Sequence, residues 1–198
     1  MMKTIGITGR SGSGKSSISA YIAHKGYPVC DADWVARQVL MPGSPCLPLL
    51  QNAFGADILA PDGELNRHLL ADRAFKTPEG TQKLTEITHP AIYEWIRAER
   101  TKAEQAGEKL FFIDGAVIVG TEIQRYCDAI LLVYTPYETA VARICARDGI
   151  QPKMARRRLD AQMPLEKLQE AADYQICNDG TVAQAEMKAE EILQTLLA

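Results

Sequence analysis

Gly9-Arg10-Ser11-Gly12-Ser13-Gly14-Lys15-Ser16 follows the β-branched run Lys3-Thr4-Ile5-Gly6-Ile7-Thr8 and precedes a helical pattern with Ile18, Tyr21 and Ile22 on one face. The run reads as a short buried strand and residues 16–25 as a helix stopped by Gly26. Between them, glycines let the backbone take positive φ and approach phosphate oxygens closely. Successive backbone N–H groups form an anion-binding nest, and the N-terminus of the following helix adds partial positive charge. Lys15 is placed to reach the β- and γ-phosphates of a nucleoside triphosphate, and the Ser16 hydroxyl to ligate Mg²⁺. A Gly/Ser turn with a surface lysine could carry the same letters. The strand before and the helix after select the phosphate-binding reading, with Gly12, Ser13, Gly14, Lys15, Ser16 and Ser17 as nucleotide-binding candidates.

Outward from this loop, strand candidates recur at residues 27–30, 110–114, 129–134 and 174–177, separated by helical patterns. Five strands alternating with helices predict a parallel sheet covered on both faces, an α/β three-layer sandwich. From residue 47 to about 106 no strand pattern occurs. That stretch is helical, broken at Pro61-Asp62-Gly63, at Thr77-Pro78-Glu79-Gly80 and at His89-Pro90. The chain therefore divides into a core of residues 1–45 and 107–198 and a helical lobe of about 46–106. His89 precedes a proline, which predicts an extended residue with a fixed place in a loop.

Acidic and basic residues fall where a phosphate chemistry would use them. Leu110-Phe111-Phe112-Ile113-Asp114 is an apolar strand running into an acid, so Asp114 is either a metal-holding carboxylate or a strand-end turn residue. Asp31 and Asp33 follow the second strand. If the extended conformation persists, both point the same way at the carboxyl edge of the sheet, where open α/β sheets bind ligands. A carboxylate there can orient an attacking hydroxyl or accept its proton; capping of a helix at Trp34 is the other use for Asp33. Arg143 and Arg147 share a helix face and begin a cationic stretch continued by Lys153, Arg156, Arg157 and Arg158 against only Asp148. Such a stretch is either a solvated face or a lid, at about 140–165, that stabilises charge on a transferring phosphoryl group.

Composition narrows the rest. At 46% hydrophobic and 24% charged, disordered and fibrous classes are excluded, and a net charge of −3 gives no sign of a nucleic-acid partner. Cys30, Cys46, Cys127, Cys145 and Cys177 are odd in number and lack C-x-x-C spacing, so neither a disulfide framework nor a zinc site is expected, and a reducing cytoplasm fits. No apolar run suits a signal peptide or a membrane span. His24, His68 and His89 show no metal-ligand spacing, and no protein partner is implied.

Taken together, these segments resemble the dephospho-coenzyme A kinase family. The resemblance spans residues 4–180 and rests on Gly12-Ser13-Gly14-Lys15-Ser16, Asp31-Ala32-Asp33, Asp62-Gly63 with Leu65 and Arg67, His89-Pro90, Arg147-Asp148, Ala161-Gln162, Ala172-Asp173 and Asn178-Asp179-Gly180. It implies a P-loop kinase fold with a helical acceptor-binding lobe and a lid, and transfer of the ATP γ-phosphate to the ribose 3′-hydroxyl of dephospho-coenzyme A. By the same resemblance Asp33 activates that hydroxyl with Lys15 and Arg147 as its catalytic companions. Arg67 and His89 contact the acceptor, Arg143, Asn178 and Gly180 adjoin the nucleotide, and Ser16 and Asp114 hold Mg²⁺. The chain departs from the family's usual letters in three places, one of them a Gln usual on the lid helix that is absent, with Ala140 near its place. Arg10-Ser11 replaces Gly-Ile, and residues 115–120 read Gly-Ala-Val-Ile-Val-Gly in place of a segment bearing Pro and Glu. Other P-loop kinases, and a member that binds nucleotide without transferring phosphate, are the competing readings. A GTPase would need an Asn-Lys-x-Asp guanine reader, and none occurs.

Overall fold

Runs such as Ile130-Leu131-Leu132-Val133 leave no polar face to give to water, so strands built from them require cover on both sides. In the computed structural model, which describes residues 1–198, that requirement is met by a five-stranded, all-parallel sheet of order β2-β3-β1-β4-β5. The strands are β1 (Lys3–Thr8), β2 (Val29–Asp31), β3 (Leu110–Asp114), β4 (Ala129–Tyr134) and β5 (Tyr174–Cys177). All five expected strands form. β1 sits at the centre, with Ile5 level with Phe112 of β3 on one side and Ala129 of β4 on the other.

Side chains alternate across the sheet. Ile5, Ile7, Phe112, Leu131 and Val133 share one core with Ile18 and Ile22 of α1 (Lys15–His24) and Ala185, Ala189 and Leu193 of α9 (Val182–Leu197). The intervening Phe111, Ile113, Ile130 and Leu132 are buried as well, which accounts for strands without alternation in sequence. Each such side chain contributes roughly 1.5–3 kcal/mol over leaving it in water. Strand-end amides outside the ladder find carboxylates: Thr4 N–H donates to Asp128 (2.7 Å) and Ile130 N–H to Asp173 (2.8 Å).

The chain separates into two compact units, residues 1–31 with 100–198, and residues 32–99. The helical unit draws on α2 (Ala32–Gln38), α3 (Cys46–Phe54), α4 (Arg67–Ala74) and the greater part of α5 (Pro78–Gln105). Its boundary lies earlier than the expected residue 46, because α2 belongs with it: Trp34 meets Trp95 edge-on at 5.6 Å between centroids. Asn66 caps α4 by accepting from Leu69 N–H, and Arg73 clamps Asp57 with two bonds of 2.7 Å.

Two local expectations are corrected. His89 is not extended; it lies inside the 28-residue helix α5, which continues through Pro90. A proline biases its predecessor away from helix without forbidding it, and kinked helices are the exception. Asp31 and Asp33 do not share an extended segment, since β2 ends at Asp31 and α2 begins at Ala32. Asp33 therefore lies within the first turn of α2, not at a cap before Trp34.

Candidate active site

The phosphate loop is shaped by two left-handed glycines. Gly12 has φ +77 and lies so close to Ala140 that a Cβ would come 2.7 Å from its carbonyl oxygen. Gly14, at φ +83, is the N-cap of α1, and its own lack of a side chain leaves room for the Asn178 amide. No side chain caps α1, which leaves the start of its first turn open to an anion, while Ser17 N–H donates to the Gly14 carbonyl (3.1 Å). Ser16 and Ser17 are exposed on that turn.

Lys15 leaves the same turn and forms an ion pair with Asp114, the last residue of β3. Both side chains are largely buried, so a lysine from the strand–loop–helix unit faces the acid of the neighbouring strand. From the other side of β1, Asn178 just beyond β5 donates to the Ser13 carbonyl (2.8 Å), while its own N–H donates to Tyr134 (2.7 Å). Arg143 of α6 (Tyr137–Asp148) reaches the Gly12 carbonyl at 3.4 Å. Lys15, Asp114, Arg143 and Asn178 thus converge on one loop from four elements. Gly180 is packed over Gln184, whose side chain completes the capping box of α9 with Thr181.

Arg147, one turn beyond Arg143, is occupied elsewhere. It holds Asp148 through bonds of 2.7 and 3.0 Å, and Arg158 of α7 (Pro152–Asp160) pairs with the same carboxylate. The hydrogen bonds from Arg147, with those from Arg158, keep the Asp148 carboxyl down at about 2. Arg156 likewise pairs with Glu138 (2.7 Å), and Tyr137 donates to Asp160 (2.9 Å), so α6 and α7 are pinned together. The cationic stretch is in good part neutralised by acids of its own neighbourhood.

In the helical unit, Arg67 donates weakly to the Arg37 carbonyl (3.4 Å), and His89 Nδ1 lies 2.8 Å from the Tyr93 hydroxyl. Burial lowers the pKa of His89 and favours the neutral ring. Asp33 opens α2 in that same unit.

One group of contacts has no counterpart among the sequence expectations. Arg10 donates to the Leu159 carbonyl (2.5 Å), Ser11 N–H donates to Gln162 Oε1 (3.0 Å), and Gln162 Nε2 donates to the Ser11 hydroxyl (3.0 Å). The second and third residues of the phosphate loop are thereby fastened to the end of α7. Partners some 150 residues apart leave no local signal. The unusual Arg10-Ser11 pair marked one end of the contact, and Ala161-Gln162, quoted only for its resemblance, the other.

A glycine-rich loop delivered by the central strand of a parallel sheet, with its lysine set against the acid ending the adjacent strand, defines an α/β P-loop kinase. A model of the dephospho-CoA kinase family matches residues 3–184. The chain belongs to the dephospho-CoA kinase family. It is 38% identical over 196 residues to a dephospho-CoA kinase of Corynebacterium efficiens, covering 99% of this chain and 98% of that one. A Thermus thermophilus protein of known structure superposes with a TM-score of 0.88 at 28% identity over 100% of this chain and 98% of its own. The dephospho-CoA kinase from Campylobacter jejuni has the same fold, with a TM-score of 0.65 at 22% identity, covering 98% and 97%.

Proposed function

We propose that the chain transfers the γ-phosphoryl group of ATP to the ribose 3′-hydroxyl of dephospho-coenzyme A, giving coenzyme A, with the residues converging on the phosphate loop as its nucleotide site. The observation that carries this reading is the Lys15–Asp114 pair at the mouth of the loop, in a chain matched to the family almost end to end. The backbone of Gly12–Gly14 and the N-terminus of α1 receive the phosphates. Lys15 exchanges Asp114 for the β- and γ-phosphates, which frees the carboxylate. Arg143, Asn178 and Gly180 border the nucleotide, with Asn178 holding the loop's own backbone in shape.

Mg²⁺ fits the donors present. It takes one or two carboxylates together with substrate phosphates and retained waters. Ser16 and Asp114 supply a hydroxyl and a carboxylate, and no group of three or more His, Cys, Asp or Glu forms an all-protein cage. When bound, the ion neutralises charge on the phosphates. Asp33 orients the acceptor hydroxyl and accepts its proton. Arg67 and His89 bind the acceptor from the helical lobe; a neutral His89 offers a hydrogen bond and no charge. Residues 140–165 act as the lid, and Arg147 leaves Asp148 to meet the phosphoryl group when the lid closes. No helix is long and apolar enough to cross a membrane. Five free cysteines suit a reducing cytoplasm, and no nucleic-acid or protein partner is part of the reading.

The test is ATP consumption by the purified chain with Mg²⁺, with and without dephospho-coenzyme A, and the mass of the product. A product heavier by one phosphate is expected. ATP turnover indifferent to the acceptor would overturn the acceptor assignment and leave the nucleotide site standing.

A further inference from the structure

Glycine restrains a backbone least, so a glycine-rich loop keeps one shape only where its polar groups are bonded from outside. Three side chains reach the phosphate loop from other elements. Arg143 and Asn178 donate to the carbonyls of Gly12 and Ser13. Gln162, in the turn between α7 and α8 (Leu165–Ala171), takes hold of Ser11. Of the three, only Gln162 engages a loop N–H: its Oε1 accepts from Ser11 N–H (3.0 Å) while its Nε2 donates to the Ser11 hydroxyl (3.0 Å). Gln162 is itself anchored, since its N–H donates to the Leu159 carbonyl (3.0 Å), which also accepts from Arg10 (2.5 Å). Residues 10–11 and 159–162 are thus closed into one hydrogen-bonded ring. Within the loop, Ser13 N–H returns to the Arg10 carbonyl (3.1 Å), but the Ser13 hydroxyl is buried without a partner and adds nothing to the hold.

We propose that Gln162 is a positioning residue for the nucleotide: through Ser11 it holds the phosphate loop, before any ligand arrives, in the shape that ATP binds. The inference rests on the nucleotide-site reading above. The contact also sets where the anion seat begins. An N–H turned to Gln162 is not offered to a phosphate, so the donors left for the anion start at Gly12 and run into α1. Two properties suit the contact to holding. It is reciprocal, so the amide cannot turn over without losing both bonds. It is also uncharged, so incoming phosphates do not draw it away as they draw Lys15 from Asp114. A lid over residues 140–165 is then pinned to the loop at this end, and its movement falls to the residues before Leu159. The size of the effect follows from occupancy: a free loop that holds the binding shape only part of the time binds more weakly by that fraction, while the bound state is unaltered. Two lost hydrogen bonds and a half-buried N–H left unpaired change that fraction roughly tenfold.

The test compares the full chain with Gln162→Met, which keeps the length of the side chain without its polar atoms, and with Ser11→Ala, which removes only the hydroxyl bond. Affinity for a non-hydrolysable ATP analogue with Mg²⁺ is read by calorimetry, and turnover with dephospho-coenzyme A at saturating ATP. Gln162→Met should bind the analogue roughly tenfold more weakly, with kcat and the acceptor KM unchanged. Ser11→Ala should lose roughly two- to threefold alone and nothing further in the Gln162→Met background. A merely structural role would lower the melting temperature and leave the affinity of the folded protein as it was. Analogue binding by Gln162→Met within about twofold of wild type therefore overturns the proposal, and so does an equal loss from Ser11→Ala in both backgrounds. Should Gln162→Met not fold, Ser11→Ala decides through hydrogen exchange across residues 9–17. Faster exchange without nucleotide, restored to the wild-type rate by the analogue, supports the proposal, and unchanged exchange overturns it. A wild-type chain that binds the analogue but phosphorylates no dephospho-coenzyme A removes the acceptor assignment alone. One that binds no nucleotide removes both.

Discussion

Replacing Asp114 by alanine should cost the protein stability before any question of activity arises. The Lys15 and Asp114 side chains are only 14% and 10% exposed, so removing the acid leaves an ammonium group mostly shielded from water and without its counter-ion. Breaking a buried pair from one side costs roughly 3–5 kcal/mol. Because the pair is not wholly sealed, the lower end applies, about 3 kcal/mol. For a chain of this size each kcal/mol moves the melting temperature by roughly 2–4 °C, so a fall of about 6–12 °C is expected by differential scanning fluorimetry without nucleotide. The penalty arises from the stranded lysine, so Lys15→Met combined with Asp114→Ala should melt above Asp114→Ala alone. A single mutant melting within a degree or two of wild type, or a double mutant whose loss is the sum of the two singles, would refute the coupling.

Asp33→Ala should lower turnover roughly 10²–10⁴-fold at unchanged ATP affinity, the cost of losing a positioned base; an equal loss of ATP affinity in a binding titration would make Asp33 structural. Arg147→Ala should reduce turnover toward the roughly 10³–10⁵-fold range of charge-stabilising arginines, and normal steady-state turnover would remove it from the lid's chemistry. Asp148 is held at about 2 against an ordinary 3.8, chiefly by its hydrogen bonds from Arg147. A depressed carboxyl contributes stability that is whole above the unfolded value and lost as pH falls through the folded one. Acid titration followed by circular dichroism should therefore show a loss between about pH 4 and 2 that is smaller in Asp148→Asn, and identical curves would contradict the pairing.

The fold was legible in the sequence because its decisive elements are local. An apolar run, a glycine-rich turn and a helix start within residues 3–25 place β1 and α1, and the other strands repeat the first part of that pattern. The order of the strands was not legible, since pairing across β1 joins residues more than a hundred apart. His89 shows the limit of a local rule: a pre-proline preference is a modest bias, and a long helix can absorb it. For the candidate site, residues 9–16 announced themselves, while the use of Asn178 and Arg143 on the loop's own carbonyls came only from the tertiary arrangement. Asp173, quoted for its resemblance, serves an amide of β4, a role that spacing could not reveal.

The bond from Asn178 to Ser13 has a consequence for the order in which the molecule becomes competent. The loop is encoded near the start of the chain, yet the amide that steadies it stands next to β5, the last strand to be made. Chains emerge from the ribosome N-terminus first. The loop, which precedes β5 in the chain, therefore lacks this support until the last of the five strands has added to the sheet.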